Sequence, residues 1–60
     1  MFVIGDIVKF NDYDGKLHHG LVVNIRQANT NYKYIYSHEV LSFIDNSVYV
    51  YKPKDIKKVS

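Results

Sequence analysis

The sequence predicts an all-β fold, a single small barrel of five or six antiparallel strands with a short C-terminal 3₁₀ turn. Its apolar runs are short and alternate with polar residues, a period of two that is typical of half-buried strands. Residues 43–51 support this reading, because Asp45-Asn46 lies between two β-rich runs and tolerates the backbone of a tight hairpin turn. We therefore expect no helix longer than two turns.

The first half of the chain contains two predicted strands. Residues 7–10 form a short strand after Gly5-Asp6, and the turn formers of residues 11–16 predict a loop. Residues 18–27 resume the alternation, and Gly20 marks either a close backbone approach or a bulge.

The second half begins with a break at residues 28–31, after which residues 32–36 alternate again. Either the tyrosines of this run or Ile35 faces inward. Residues 37–39 are interpreted as a bend rather than a helical turn, leading into a strand at residues 40–44.

A hairpin through Asp45-Asn46 then leads to a strand at residues 48–51. Pro53 suits the start of a 3₁₀ turn, and Lys58-Val59 completes the sheet. The alternation predicts a core of eleven residues: Val8, Phe10, Leu21, Val23, Ile25, Leu41, Phe43, Val48, Val50, Ile56 and Val59.

The composition bounds the function. Residues 1–60 make one domain, and a chain of this length hides about 60% of its unfolded surface, enough for a core but not for a deep catalytic cleft as well. The absence of cysteine excludes disulfides and thiolate metal sites, so we expect a cytoplasmic protein. Residues 1–4 are too short to cross a membrane and are interpreted as a pairing strand or an apolar contact, with a homodimer through this end as one outcome.

Positive charge is concentrated at one end of the chain, and residue usage indicates an origin. The formal net charge is +2, and four lysines cluster against Asp55 in the last nine residues. Lysine, asparagine, isoleucine and tyrosine have AT-rich codons, so their abundance indicates a small protein of bacteriophage type.

Four segments resemble the SH3-like small barrels of KOW and Tudor-type modules and of tiny phage proteins. They are GDIVKF (5–10), HGLVVNI (19–25), FIDNSVYVY (43–51) and PKDIKKV (53–59). The resemblance implies a binding module, because KOW-like barrels are associated with RNA and RNA polymerase, Tudor-like barrels bind peptides through an aromatic cage, and phage barrels serve in virions or modify host enzymes. Residues 28–39 depart from the pattern as an insertion.

Tyrosines are the leading candidates for partner contacts. If Val48 and Val50 face inward, Tyr49 and Tyr51 face outward together, and tyrosine is enriched at binding hot spots. Tyr13 in the loop and Tyr34 and Tyr36 in the insertion complete the predicted set, which would dock on a larger protein such as a host enzyme or a virion component. Alternatively, the inserted segment covers Tyr49 and Tyr51.

Nucleic acid is the alternative partner. Lys52, Lys54, Lys57 and Lys58 are predicted to contact phosphates, with tyrosine stacking on bases. Arg26 is the single arginine and so the single residue able to make bidentate base contacts, which argues against sequence-specific DNA recognition.

Catalytic and metal sites are not expected, nor is a cofactor. His18 and His19 are adjacent on a strand and so point to opposite faces, which disfavours a shared metal ion. His38 and Glu39 near Ser37 and Ser42 suggest a hydrolytic site, but a domain of this size leaves little room for a triad and its pocket.

Overall fold

The computed structural model describes residues 1–29 and 34–59, which form one antiparallel sheet in the order β4-β3-β2-β1-β5. The strands are β1 (Ile7–Asn11), β2 (Leu17–Asn29), β3 (Tyr34–Ser42), β4 (Val48–Tyr51) and β5 (Lys57–Lys58), with a 3₁₀ helix at Pro53–Asp55. The predicted all-β fold, five strands and 3₁₀ turn are confirmed. No pairing among the described residues joins β4 to β5, so the sheet is not closed into a barrel.

One face of the sheet, which we call the inner face, carries the core. Its buried apolar side chains come from all three central strands and from the residue after the 3₁₀ helix: Val8, Phe10, Val22, Val40 and Ile56. Phe2, Ile25 and Tyr51 pack against this cluster while remaining partly exposed. Thus Val8, Phe10 and Ile56 were predicted correctly.

A bulge in β2 changes which residues face inward. Val22 lies opposite Val40, whereas Asn24 lies opposite Glu39, so Val23 is an extra residue on β2. The prediction that Leu21, Val23 and Ile25 share the inner face was wrong, because the bulge interrupts the alternation after Val22. Leu21 and Leu41 are paired with each other on the outer face and are only half-buried.

The two faces of β4 are the reverse of the prediction. Tyr49 lies opposite the buried Val40, and Tyr51 lies opposite the buried His38, so both tyrosines are on the inner face. Val48 and Val50 point the other way and are 51% and 65% exposed. Their assignment to the core was wrong.

The connection between β3 and β4 also differs from the prediction. β3 runs through residues 37–39 without a bend, and the turn spans four residues, 43–46, closed by the Ser42 N–H donating to the Ser47 carbonyl at 2.8 Å. Asn46 adopts a φ of 57°, the left-handed conformation that asparagine tolerates. Phe43 therefore lies in the turn, half exposed, and is not a core residue.

The remaining predictions concern single positions. Gly20 is a close-approach glycine, since a Cβ there would lie 2.6 Å from both the Leu41 carbonyl oxygen and Val40 Cγ1. Val59 was predicted in the core but is exposed. At the N-terminus only Phe2 packs against the core, and the predicted register of Tyr32 falls outside the described residues.

Candidate binding groove

A groove of about 600 Å³ opens on the inner face between the β1–β2 loop and the β3–β4 turn. We call it the Tyr49 groove. Its lining residues are Phe10, Asn11, Asp12, Tyr13, His18, Ser42, Ile44, Asp45, Tyr49 and Tyr51. Four of these ten side chains are phenylalanine or tyrosine, an aromatic surface that the fold leaves accessible.

The floor of the groove is an aromatic cluster on the edge of the core. The rings of Phe10 and Tyr51 lie 4.8 Å apart between centroids, and His18 stacks on Phe10 at 5.7 Å. These distances are in the range of favourable aromatic pairs. Burial raises the pKa of the Tyr51 hydroxyl, with a smaller contribution from nearby carboxylates. The floor is therefore held by aromatic packing, and the Tyr51 hydroxyl within it is uncharged at neutral pH.

The β1–β2 loop forms one bank and is held by Asp12. Its Oδ1 accepts the backbone N–H groups of Asp14 and Lys16, each at 2.9 Å, and its Oδ2 lies 2.7 Å from His18 Nε2. The hydrogen bond with His18 lowers the pKa of Asp12, so the carboxylate stays charged. This loop presents Tyr13 with its whole side chain in solvent.

The β3–β4 turn forms the opposite bank and is held by Asp45. The Tyr49 hydroxyl donates to Asp45 Oδ2 at 2.5 Å, and the Ser47 N–H donates to Oδ1 at 3.0 Å. The Tyr49 hydrogen bond lowers the pKa of Asp45 and raises that of Tyr49. Each bank thus carries one carboxylate, and no lysine or arginine of the described chain lines the groove.

The groove unites three of the five predicted tyrosines. Tyr13, Tyr49 and Tyr51 line it together, although the reasoning from inward valines was wrong. Tyr34 and Tyr36 lie on the distal part of the β2–β3 hairpin, exposed and outside the lining. The predicted partner surface is therefore divided between two places.

The predicted lysine patch is divided as well. Lys54 and Lys57 join Lys9 in lining a second groove of about 600 Å³, which we call the lysine groove. Lys58 Nζ lies 3.6 Å from Asp6 Oδ1 instead, and Lys52 is exposed outside the lining.

Arg26 is separated from these lysines. It lies on the distal part of β2, where its Nε donates to Glu39 Oε2, a contact that lowers the pKa of Glu39 and raises that of Arg26. Asn24 donates to the same carboxylate oxygen at 3.2 Å. The Arg26 guanidinium is therefore paired with Glu39 on the outer face.

His18 anchors the β1–β2 loop, and His38 packs in the core. His38 is buried on the inner face, where Phe2 contacts it edge-on at 5.3 Å between centroids, while the neighbouring Glu39 is on the outer face. The paired acid and base of a hydrolytic site are therefore not formed by these two residues. Within residues 1–29 and 34–59, no three histidine or acidic side chains are placed to hold a metal ion.

The sequence interpretation missed Asp12, Asp45, Phe10 and His18 as groove residues. Asp12 and Asp45 were taken only as turn formers, a role they do fill through backbone hydrogen bonds. The available signal was that each acid sits near an aromatic or histidine residue, four to six positions along the chain.

Comparisons with known proteins found no matching family model, curated protein or solved structure. In the described part of the chain, no helix has the length and apolar character needed to cross a membrane. The class that the fold and groove define is a small antiparallel β domain with an aromatic, acidic groove on its inner face.

Proposed function

We propose that this protein is a non-enzymatic binding module of SH3-like type that docks on a larger protein and holds a cationic segment of that partner in the Tyr49 groove. The observation that carries the proposal is the lining: accessible tyrosines, with one carboxylate on each bank and no lysine or arginine among the described residues. A composition of phage type supports an accessory role, in which the module modifies the larger protein it binds.

A positively charged side chain suits this lining for two reasons. Lysine and arginine are attracted to aromatic faces by about 0.5 to 2 kcal/mol. The pKa values of Asp12 and Asp45 are lowered by their hydrogen bonds with His18 and Tyr49, so both carboxylates are ionised at neutral pH. Phosphate groups, in contrast, are repelled from this groove.

A random peptide library selected on the immobilised protein tests this. We expect enrichment of peptides carrying lysine or arginine. We also expect Tyr13→Ala to weaken the selected peptides by about thirtyfold, the equivalent of about 2 kcal/mol for a hot-spot side chain. Tyr13 is fully exposed, so its truncation leaves folding intact.

The matched control is Tyr34→Ala, which removes an equally large exposed ring outside the groove. It should bind the peptides as tightly as the unaltered protein. Enrichment of acidic peptides, or equal binding by both variants, would contradict the proposal.

A second candidate function is favoured by the lysine groove. Three lysines, Lys9, Lys54 and Lys57, line it together with Tyr51 and one acid, Asp55. The excess of positive charge beside an aromatic ring suits the phosphates of a single-stranded nucleic acid. Three phosphate contacts would give a slope of roughly −2 for log affinity against log salt, at about 0.7 for each contact on a single strand.

The test is the double variant Lys54→Gln and Lys57→Gln, with Lys16→Gln and Lys52→Gln as a control of equal charge outside that groove. Binding of an oligonucleotide should weaken, and its salt slope flatten, only in the first variant. Absence of oligonucleotide binding at low salt removes this candidate.

A further inference from the structure

The two outer strands of the sheet differ in how they meet solvent. β5 has only two residues, both lysines, and Lys58 is held by Asp6. β4 has no such protection, because residues 47–51 contain no charge and no proline, and Val48 and Val50 are largely exposed. Edge strands are normally blunted by charges or proline, so the edge of β4 is open to another strand.

The unpaired backbone groups on this edge can be assigned. The Ser42 N–H donates to the Ser47 carbonyl, which makes residues 42 and 47 a hydrogen-bonded pair. Because such pairs alternate along antiparallel strands, Tyr49 and Tyr51 also bond to β3. The N–H and C=O groups of Val48 and Val50 consequently point to the open edge, which no described strand covers.

We propose that this edge binds a second copy of the chain, with β4 pairing antiparallel to β4 about a two-fold axis at Tyr49. In this register Tyr49 lies opposite Tyr49, and Val48 lies opposite Val50 on each side. All four free groups of each strand are then satisfied, giving four backbone hydrogen bonds between the copies. Opposed residues share a face, so the tyrosines meet on the inner face and the valines on the outer face.

Charge complementarity identifies the occupant as a second copy. Asp45 precedes β4 and Lys52 follows it, so one end of the strand is negative and the other positive. Antiparallel pairing brings the Lys52 end of each copy beside the Asp45 end of the other. A two-fold contact requires a surface that complements itself, and β4 with its flanking charges meets that requirement.

The outer face supports the same arrangement. Cross-strand pairing places Ile7 beside Leu21, Leu21 beside Leu41, and Leu41 beside Val48, an apolar row that ends at the open edge. Pairing with a second copy continues this row, because Val50 of one molecule lies opposite Val48 of the other. The contact is small, so the dimer is weak and depends on concentration.

Cysteine substitution tests the register directly, because the chain has no cysteine of its own. Opposed residues of a pair without hydrogen bonds lie about 4.5 Å apart at Cα, inside the 4.4–6.8 Å that a disulfide spans. Under mild oxidation we expect Tyr49→Cys to form a covalent dimer at least tenfold faster than Tyr34→Cys. Equal rates, or a faster dimer from Val50→Cys, would overturn the pairing at Tyr49.

A second measurement covers the case in which Tyr49→Cys fails to fold. Raising the concentration of the unaltered protein should shift the amide signals of Val48 and Val50 in NMR spectra. Val50→Lys should abolish the shifts through like charges near the axis, whereas Val59→Lys, a matched change beside the opposite edge, should keep them. A protein that stays monomeric up to millimolar concentration, as it would if only a foreign strand binds this edge, overturns the proposal.

Discussion

Gly20 lies on β2 at a point where the neighbouring strand β3 leaves no room for a side chain. A Cβ at this position would lie 2.6 Å from the Leu41 carbonyl oxygen, a backbone atom that cannot rotate away. Val40, which would be equally close, is itself fully buried. Any side chain at this position would therefore have to displace the backbone of β3 or the buried Val40.

We expect Gly20→Ala to lower the free energy of unfolding by about 1 to 3 kcal/mol, the usual cost of forcing extra volume into a packed interior. Urea unfolding followed by circular dichroism measures this. The neighbouring outward substitution His19→Ala should change the stability by less than about 0.5 kcal/mol. Equal stability of the two variants would show that β2 and β3 accommodate the added methyl group without a loss of stability.

Truncation of a side chain in the β3–β4 turn should cost less stability than truncation of one in β3. Phe43 is the larger side chain but is half exposed in the turn, whereas Val40 is fully buried between Val22 and Tyr49. We expect Val40→Ala to cost about 2 kcal/mol from lost transfer energy and a cavity, and Phe43→Ala less than about 1 kcal/mol. If thermal melts showed a larger loss of stability for Phe43→Ala than for Val40→Ala, Phe43 would be a core residue after all.

The alternation along β4 shows why its strand was predictable but its orientation was not. A Val-Tyr-Val-Tyr run establishes a period of two, and therefore a strand with valines on one face and tyrosines on the other. Which face turns inward depends on the pairing with β3, where Val40 lies opposite Tyr49. The alternation within β4 does not determine how the strand pairs with β3, so the sequence pattern alone could not predict the inward face.

The bulge at Val23 explains the corresponding error in β2. Three apolar residues at a spacing of two, Leu21, Val23 and Ile25, predict one shared face. An inserted residue moves the pattern by one position, so Val22 and Ile25 are the residues that contact the core. The groove was predictable only in part. Its tyrosines stand out in the sequence, whereas the acids beside them were recognised only as turn formers.

The whole molecule rests on a small core, and one of its buried groups is the titratable side chain of His38. Burial lowers the pKa of His38 from its ordinary 6.5, because the charged ring is poorly solvated beside Phe2. The unfolded chain then takes up a proton before the folded chain does. The stability is consequently full above pH 6.5 and falls as the pH decreases from that value toward the folded pKa.

We expect the free energy of unfolding to fall as the pH decreases below the ordinary histidine value of 6.5, and the fall to be smaller in His38→Gln. His19→Gln, an exposed control, should keep the full decrease. Three carboxylates act in a separate range, since the lowered pKa values of Asp12, Glu39 and Asp45 preserve their stabilising contacts until the pH falls below their ordinary values of 3.8 to 4.5. Parallel pH profiles for all three proteins would show that His38 is not the titrating group.

The Tyr49 groove and the lysine groove share a wall, because Phe10, Asn11 and Tyr51 line both. If both grooves bind ligands as proposed, a ligand that shifts the Tyr51 ring in one groove would change the shape of the other, and the two sites would have a coupling free energy. Such coupling is reciprocal by thermodynamic necessity: whatever factor a basic peptide imposes on the affinity for an anion, the anion imposes on the affinity for the peptide. In a domain of 60 residues, the proposed binding of a basic peptide and of an anion would thus be linked through one shared aromatic ring.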